Sequence, residues 1–406
     1  MLDQSKVRSR ADLLTMLSEA CELEHGLACS YLFTAFSLKQ DEAEGRIDWR
    51  QLQMARLWAG QIYFVASEEM LHLAQVWNLL AAIGGTPYYQ RPNFPQSSKY
   101  YSLGVQLKLE PFGLPAMERF IAYELPVGVP PERLMIKKLG LTAGELRSGA
   151  RQTVGELYAQ IVEGIQSMPE AELFIGEPAL QVGADLVDFP DIVKVIDRAS
   201  ALKAIETITE QGEGTQADRK DCHYGAFLNI RDELEREMER AAENGEMFVP
   251  SRPVIENPVP RLRPDHQAGT VNVIEDHFTA AVAELFDEVY ILMLRQLQYV
   301  FSNHPQKLEV ARRFARAAIG LMPTVVKPLG EALALLPAGP RYGDKTAGPA
   351  FAMTRHVPLP ADPRVAAIVV GEGLAEITAE AQRLAAAPQA PRQLLKAAEN
   401  LRRFAA

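Results

Sequence analysis

The chain has 406 residues, with 42 Lys or Arg against 52 Asp or Glu, so its formal charge is −10. Its 48% hydrophobic and 23% charged residues are typical of a globular protein and exclude a largely disordered chain. The acidic balance argues against nucleic acid or an anionic membrane as the main partner. Three cysteines are too few for a disulfide framework, and neither a signal-like segment nor an apolar stretch of about 18–20 residues occurs. We therefore expect a cytoplasmic protein without a membrane span.

Two long helices are predicted in the first quarter of the chain. Apolar residues recur at steps of three and four from residue 11 to about 39, and again from about 49 to 83. The polar segment 41–48 between them reads as a turn, and the sequence Gly-Gly-Thr-Pro at 84–87 ends the second pattern. Two long antiparallel helices joined by a short turn indicate half of a helical bundle.

The rest of the chain is also mainly helical in pattern. Residues 103–109 alternate between apolar and polar, which predicts a strand. Further helices are predicted at about 115–125, 153–168, 199–211, 218–244, 272–302, 307–322, 325–336 and 366–404. Five prolines between Pro250 and Pro264 favour an extended connector. We expect a mainly α fold with three parts: a bundle (1–245), a Pro-rich connector (246–268) and a helical C-terminal region (269–406) packed on the bundle.

Acidic residues interrupt the apolar faces of both long helices. Glu24 lies in the stripe of the first helix and Glu69 in that of the second, where an unpaired buried carboxylate costs several kcal/mol. His72 follows Glu69 by three residues, so the two side chains share one helix face. The Glu-x-x-His motif alone is weak, because about one such match is expected by chance and a packed histidine is the commoner explanation. The central position of both carboxylates in apolar stripes favours a metal site.

A second half of such a site is expected from the later helices, because di-metal bundles of the ferritin type take carboxylates and histidines from four helices. Glu213 lies at the C-terminal end of one predicted helix and Glu156 near the start of the one before it, so antiparallel packing would place them level, with His223 close by. The predicted metal ligands are Glu24, Glu69, His72, Glu156, Glu213 and His223. Four carboxylates balance two divalent cations, and oxygen and imidazole donors suit iron, with manganese as the alternative.

Simpler explanations exist for the later members of this set. Glu156 lies near a helix start, where an acidic side chain interacts favourably with the helix dipole. His223 could be a core histidine. Glu206 and Glu210 share a helix face with Glu213 but are expected to face solvent. The sequence leaves these alternatives open.

Several longer motifs carry a family resemblance. They include Glu22-Leu-Glu-His-Gly26 and Glu68-Glu-Met-Leu-His-Leu73, together with the segments 153–158, 210–215, 221–227, 252–258 and 347–351. In these motifs the chain resembles the ferritin-like family named for iminophenyl-pyruvate dimer synthase. That domain type is found in the enzymes that couple two tryptophan-derived imines in violacein and rebeccamycin biosynthesis.

The resemblance implies a ferritin-like helical bundle with an iron site, and it supports Glu24, Glu69 and His72 most directly. Two differences bear on function. Lys220 stands three residues before His223, so a second Glu-x-x-His motif is absent. The pigment-pathway enzymes also carry this domain in a much longer chain.

Three functional hypotheses follow. The first is a non-haem di-iron oxidase or oxygenase that uses O₂ and acts on a small aromatic or amino-acid-derived metabolite, with imine coupling in secondary metabolism as its most specific form. The second is a manganese-dependent peroxide-handling protein or a non-catalytic metal-binding protein. The third is a bundle without metal that acts through protein contacts. The apolar faces of the C-terminal helices would cover the bundle or form the interface of a homo-oligomer.

Overall fold

The structure is a computed structural model. It describes residues 7, 9–96, 105–129, 153–187, 189–214, 221–264, 266, 269–302, 308–355 and 357–405, without the side chains of residues 213 and 405. The described residues are mainly α-helical, as predicted. The helices are α1 Arg10–Phe36, α2 Trp49–Ala82, α3 Leu114–Tyr123, α4 Val154–Ser167, α5 Arg198–Glu213, α6 His223–Glu243, α7 His277–Phe301, α8 Leu308–Leu321, α9 Lys327–Leu333, α10 Pro363–Ala385 and α11 Arg392–Ala405.

Capping side chains mark the start of both long helices. The Ser9 side chain accepts the N–H of Asp12 at the start of α1. Asp48 and Gln51 form a reciprocal capping box at the start of α2. α1 and α2 pack against each other along their length, and α4, α5 and α6 complete the bundle around them.

α1 is buried on nearly all sides through its central turns, because further helices cover the face that α2 leaves free. Its C-terminal end packs against α9. Gly330 of α9 allows this close approach, since a Cβ atom there would lie 2.3 Å from the ring of Phe36. The C-terminal helices therefore form part of the environment of α1.

The proline-rich segment is extended but firmly packed. It contains the short strand β1 (Pro258–Val259), which pairs in parallel with β2 (Asn272–Val273). Arg252 is only 4% exposed; its Nε lies 2.6 Å from a carboxylate oxygen of Glu44, and its Nη1 donates to the carbonyl of Phe36. We keep the division into bundle, connector and C-terminal region as a proposal.

The predicted strand at 103–109 lies partly outside the described residues, which resume at Val105. Val105, Leu107 and Leu109 are buried, as the alternation predicts, but the segment forms only an isolated bridge between Leu107 and Gln96. The reason lies in Asn257, which bonds both the N–H and the carbonyl of Leu109 at 2.9 Å in place of a partner strand.

A turn of π-helix, Met322–Val326, joins α8 to α9. Pro328 has no N–H to offer the carbonyl of Thr324, and the side chain of Asn400 in α11 donates to that carbonyl at 2.9 Å instead. Across the described residues, no helix combines the length and hydropathy that crossing a membrane demands.

Candidate metal centre

Three of the predicted ligands meet between α1 and α2. Glu24, Glu69 and His72 are each no more than 2% exposed. Nδ1 of His72 lies 3.4 Å from Oε2 of Glu24 and 3.2 Å from Oε2 of Glu69. The antiparallel packing thus brings the two mid-helix carboxylates to one level, and the histidine lies between them.

A second triad lies on the other side of Glu69. His223, the first residue of α6, places Nδ1 2.9 Å from Oε1 of Glu69 and 3.7 Å from Oε1 of Glu124. Within each triad, one ligand atom per residue lies within 4.8 Å of the others. The rings of His72 and His223 stack with their centroids 5.4 Å apart. Glu69 therefore presents one carboxylate oxygen to each triad.

The structure places Glu156 away from this cluster and does not describe the side chain of Glu213. Glu156 is exposed; its carboxylate accepts the N–H of Thr153 at 2.9 Å and completes a capping box at the start of α4. This local bond explains its position without a metal. Glu213 is the last residue of α5, and its side chain lies outside the described part of the chain.

Glu124 is the carboxylate that the sequence reasoning missed. It caps the C-terminal end of α3 and is 4% exposed. It follows Phe120 by four residues and Ile121 by three, so it continues the apolar face of that short helix. The signal that marks Glu24, an acidic residue within an apolar stripe, was therefore present at Glu124 as well.

A polar side chain outside the triads orients each imidazole through its Nε2 atom. Nε2 of His72 lies 2.9 Å from the amide oxygen of Gln211, and Nε2 of His223 lies 3.1 Å from Oε2 of Glu68. Because both partners are acceptors, each Nε2 carries a proton that it donates outward. Nδ1 of each ring is consequently the atom that faces the carboxylates.

Two buried tyrosines orient the outer carboxylates in the same way. The hydroxyl of Tyr158 in α4 donates to Oε1 of Glu24, and the hydroxyl of Tyr31 in α1 donates to Oε1 of Glu124. Burial and the neighbouring carboxylate charges raise the pKa of both phenols well above the usual value. Both hydroxyls therefore remain protonated donors.

The electrostatics of the cluster favour positive charge at its centre. Burial and the charge of Glu69 raise the pKa of Glu24 to about 7. Burial lowers the pKa of His72, but its bonds to Glu24 and Glu69 outweigh this and raise that pKa to about 10. Burial also lowers the pKa of His223, but the charge of Glu69 and the bonds to neighbouring carboxylates outweigh this and raise that pKa well above its usual value.

The donor set fits a pair of divalent cations. It consists of carboxylate oxygens and imidazole nitrogens without a thiolate, which suits iron or manganese. Oε1 of Glu69 and Nδ1 of His223 are buried and have no hydrogen-bond partner in the described part of the chain. Buried polar atoms normally have partners, so a cation between them would supply the missing interaction.

An apolar cavity of about 430 Å³ reaches the cluster at Glu69. α1 and α2 form one wall; α7, the π-helical turn and the region around Phe189 form the others. Its aromatic lining residues are Phe36, Tyr63, Trp77, Phe189, Tyr290 and Phe301. The volume and the lining are those of a pocket for a small organic molecule.

His25 and Tyr290 form a polar corner of this cavity. Nδ1 of His25 lies 2.7 Å from the carbonyl oxygen of Tyr89, so it carries the ring proton, and Nε2 accepts from the hydroxyl of Tyr290. The Sγ atom of Cys29 lies 3.0 Å from the same hydroxyl. His25 thus belongs to the cavity wall and to neither triad.

Comparison with known proteins identifies the fold family. A family model described as ferritin-like matches residues 17–232, more than half of the chain. The chain belongs to the ferritin-like family. The matched region contains both triads, whereas the helices that close the apolar cavity follow it.

Two curated relatives extend this ferritin-like match. The chain is 29% identical over 378 residues to dichlorochromopyrrolate synthase from Lentzea aerocolonigenes, which covers 85% of this chain and 36% of the relative. It is 28% identical over 370 residues to 2-imino-3-(indol-3-yl)propanoate dimerase from Chromobacterium violaceum, covering 85% of this chain and 34% of the relative. The chain therefore spans about a third of the length of these relatives. The resemblance drawn from the motifs is confirmed.

A solved structure of a ferritin-like protein from Caulobacter vibrioides aligns with 73% of this chain and 89% of its own, at 18% identity and a TM-score of 0.45.

Proposed function

We propose that the protein is a non-haem di-iron oxidase or oxygenase that acts on a small aromatic or amino-acid-derived metabolite. One observation carries the proposal: two buried carboxylate–histidine triads share Glu69. Glu24 and His72 would hold one metal ion with Glu69, and Glu124 and His223 would hold the other. Iron bound there would supply the redox chemistry that reduces dioxygen and oxidises the substrate.

The protein's own contribution is to orient and shield this centre. The hydroxyls of Tyr31 and Tyr158 hold the outer carboxylates, and Gln211 and Glu68 hold the imidazoles with Nδ1 inward. Such outer partners typically change metal affinity or activity by about 10- to 100-fold when they are removed. The two outer carboxylates and both histidines need little reorganisation to bind a cation, because a bond from outside the triads already fixes each of them.

The apolar cavity supplies the proposed substrate site. It lies against Glu69, so a bound molecule would contact the carboxylate that both metal positions share. Its aromatic walls favour a flat apolar ring over a charged or sugar-like molecule. The walls also keep bulk water from the reacting atoms.

The relatives favour an enzyme over the other hypotheses, because their names describe a synthase and a dimerase. Coupling of two imines is accordingly the most specific form of the proposal. Nothing in these names favours manganese-dependent peroxide handling or metal binding without turnover. Use of O₂, a cytoplasmic location and assembly into a homo-oligomer stay predictions.

The test is iron content and oxygen consumption of the full chain after anaerobic loading with ferrous iron. We expect about two iron ions per chain in the wild type, with Mössbauer parameters of a coupled pair. Glu69→Ala should lose most of this iron, because both triads depend on that residue. Glu206→Gln is the matched control, since Glu206 is exposed and pairs with Lys203 on α5.

Two results would contradict the proposal. One is a wild type that remains free of iron after loading. The other is a Glu69→Ala variant with the same iron content and spectrum as the wild type. Rapid oxygen evolution from peroxide that requires manganese would instead support the peroxide-handling alternative.

A further inference from the structure

The two triads are built on one plan. Each consists of the shared Glu69, one carboxylate that accepts from a tyrosine hydroxyl, and one histidine that turns Nδ1 inward. The plan differs at one point, which is the group that accepts the outward Nε2 proton. For His72 this group is the neutral amide of Gln211, and for His223 it is the carboxylate of Glu68.

We infer that Glu68 and Gln211 make the two metal positions unequal, so that the position of Glu69, Glu124 and His223 binds the first divalent cation and that of Glu24, Glu69 and His72 binds the second. This inference rests on the proposed di-metal function. Glu68 and Gln211 act as positioning residues, because each contacts a histidine and neither is a member of a triad.

The physical reason is the charge behind each imidazole. A carboxylate that accepts the outer N–H makes the inner nitrogen a stronger donor and adds a negative charge near the metal. An amide oxygen fixes the same orientation without that charge. Within the described part of the chain, Glu68 makes its ion pair with His223 and none with a Lys or Arg. Its charge is therefore directed at one position only.

The contact between Glu69 and His223 gives independent support. Oε1 of Glu69 and Nδ1 of His223 face each other at 2.9 Å, and neither has a hydrogen-bond partner in the described residues. At the other position, Nδ1 of His72 and Oε2 of Glu69 are hydrogen-bonded at 3.2 Å. A cation at the His223 position would replace the ion pair between these two buried atoms, whereas a cation at the His72 position would replace a hydrogen bond as well.

The experiment is a titration of the metal-free full chain with Mn²⁺. Calorimetry and the EPR signal of free Mn²⁺ monitor the binding. We expect two steps in the wild type that differ about 10- to 100-fold in affinity. Glu68→Gln should weaken the tight step by about tenfold or more and bring the two steps together. Gln211→Glu should strengthen the weak step by a similar factor.

The order of filling is read from histidine variants. With Glu68 and Gln211 unchanged, His223→Ala should remove the tight step and His72→Ala should remove the weak one. The reciprocal double variant, Glu68→Gln with Gln211→Glu, should restore two separate steps with this assignment reversed. A purely structural role for Glu68 and Gln211 would not reverse it. Far-UV circular dichroism and thermal melting check that each variant is folded.

The outcomes separate this inference from the proposed function. Two Mn²⁺ ions bound with equal affinity, or steps that Glu68→Gln leaves unchanged, would overturn the inference and leave the di-metal centre intact. The inference would also be overturned if the single variant His223→Ala lost the weak step instead of the tight one. A wild type that binds no Mn²⁺ and no Fe²⁺ would overturn both.

Discussion

Replacement of Asp287 by asparagine should change how the stability of the protein depends on pH. Asp287 lies on α7 and is 3% exposed. Its Oδ1 accepts the N–H of Ala352 at 2.9 Å, and its Oδ2 has no hydrogen-bond partner among the described residues. Burial raises the pKa of Asp287 from 3.8 to about 7, although the charges of Arg91 and Arg263 oppose this.

The sign of the effect follows from the direction of the pKa change. The folded state favours the protonated carboxyl, so its contribution to stability is complete below the unfolded pKa of 3.8 and is lost as the pH rises through about 7. A tenfold change in an ionisation constant corresponds to about 1.4 kcal/mol, so the whole change amounts to about 4 kcal/mol. An asparagine side chain keeps the acceptor for Ala352 and stays neutral throughout.

Urea unfolding of the wild type and Asp287→Asn across this pH range measures the effect. The free energy of unfolding of the variant, relative to that of the wild type, should increase by about 4 kcal/mol between about pH 4 and about pH 8. Asp232→Asn is the control, because Asp232 is exposed and its carboxylate pairs with Arg231. Parallel pH profiles for the wild type and Asp287→Asn would refute the reasoning.

Three further predictions concern the site and its surroundings. Glu156→Ala should leave the metal stoichiometry unchanged and lower the free energy of unfolding by about 1 kcal/mol, because the helix cap is lost. Glu124→Ala should remove one metal ion. Equal metal loss in both variants would contradict the assignment. Gly330→Val should destabilise the fold by about 1–3 kcal/mol in chemical denaturation, because a Cβ atom meets the ring of Phe36, and an unchanged midpoint would argue against this contact. Leu297→Trp should fill the apolar cavity and abolish calorimetric binding of indole without changing iron content; unaltered indole binding would place the ligand site elsewhere.

The first half of the candidate site could be predicted because its signals are local. A carboxylate in an apolar helical stripe is anomalous whichever helix packs against it. This anomaly identifies Glu24 and Glu69 from the sequence alone. The same signal is present at Glu124 but is weaker, because α3 has only ten residues and Glu124 lies at its C-terminal end. For Glu156, the local signal is ambiguous, since Thr-x-x-Glu is also the pattern of a capping box.

The rest of the site depends on contacts between distant segments. The π-helical turn and α7 complete the apolar cavity, yet their sequences show only further amphipathic helices. The pairing of Glu68 with His223 joins residues 155 positions apart, and no pattern in either helix indicates it. Periodicity predicts which face of a helix is buried but not which other helix covers it.

The separation of the two parts of the site along the chain has a consequence for biosynthesis. Both triads lie within residues 24–223, whereas the cavity beside them is closed by residues 290–327. Because a ribosome delivers the chain from its N-terminus, the residues of the proposed metal centre emerge before those that close the cavity. During synthesis, the faces of α1 and α2 that line this cavity lack their cover until the later helices arrive, and we expect this exposed apolar surface to favour aggregation of the nascent chain in that interval.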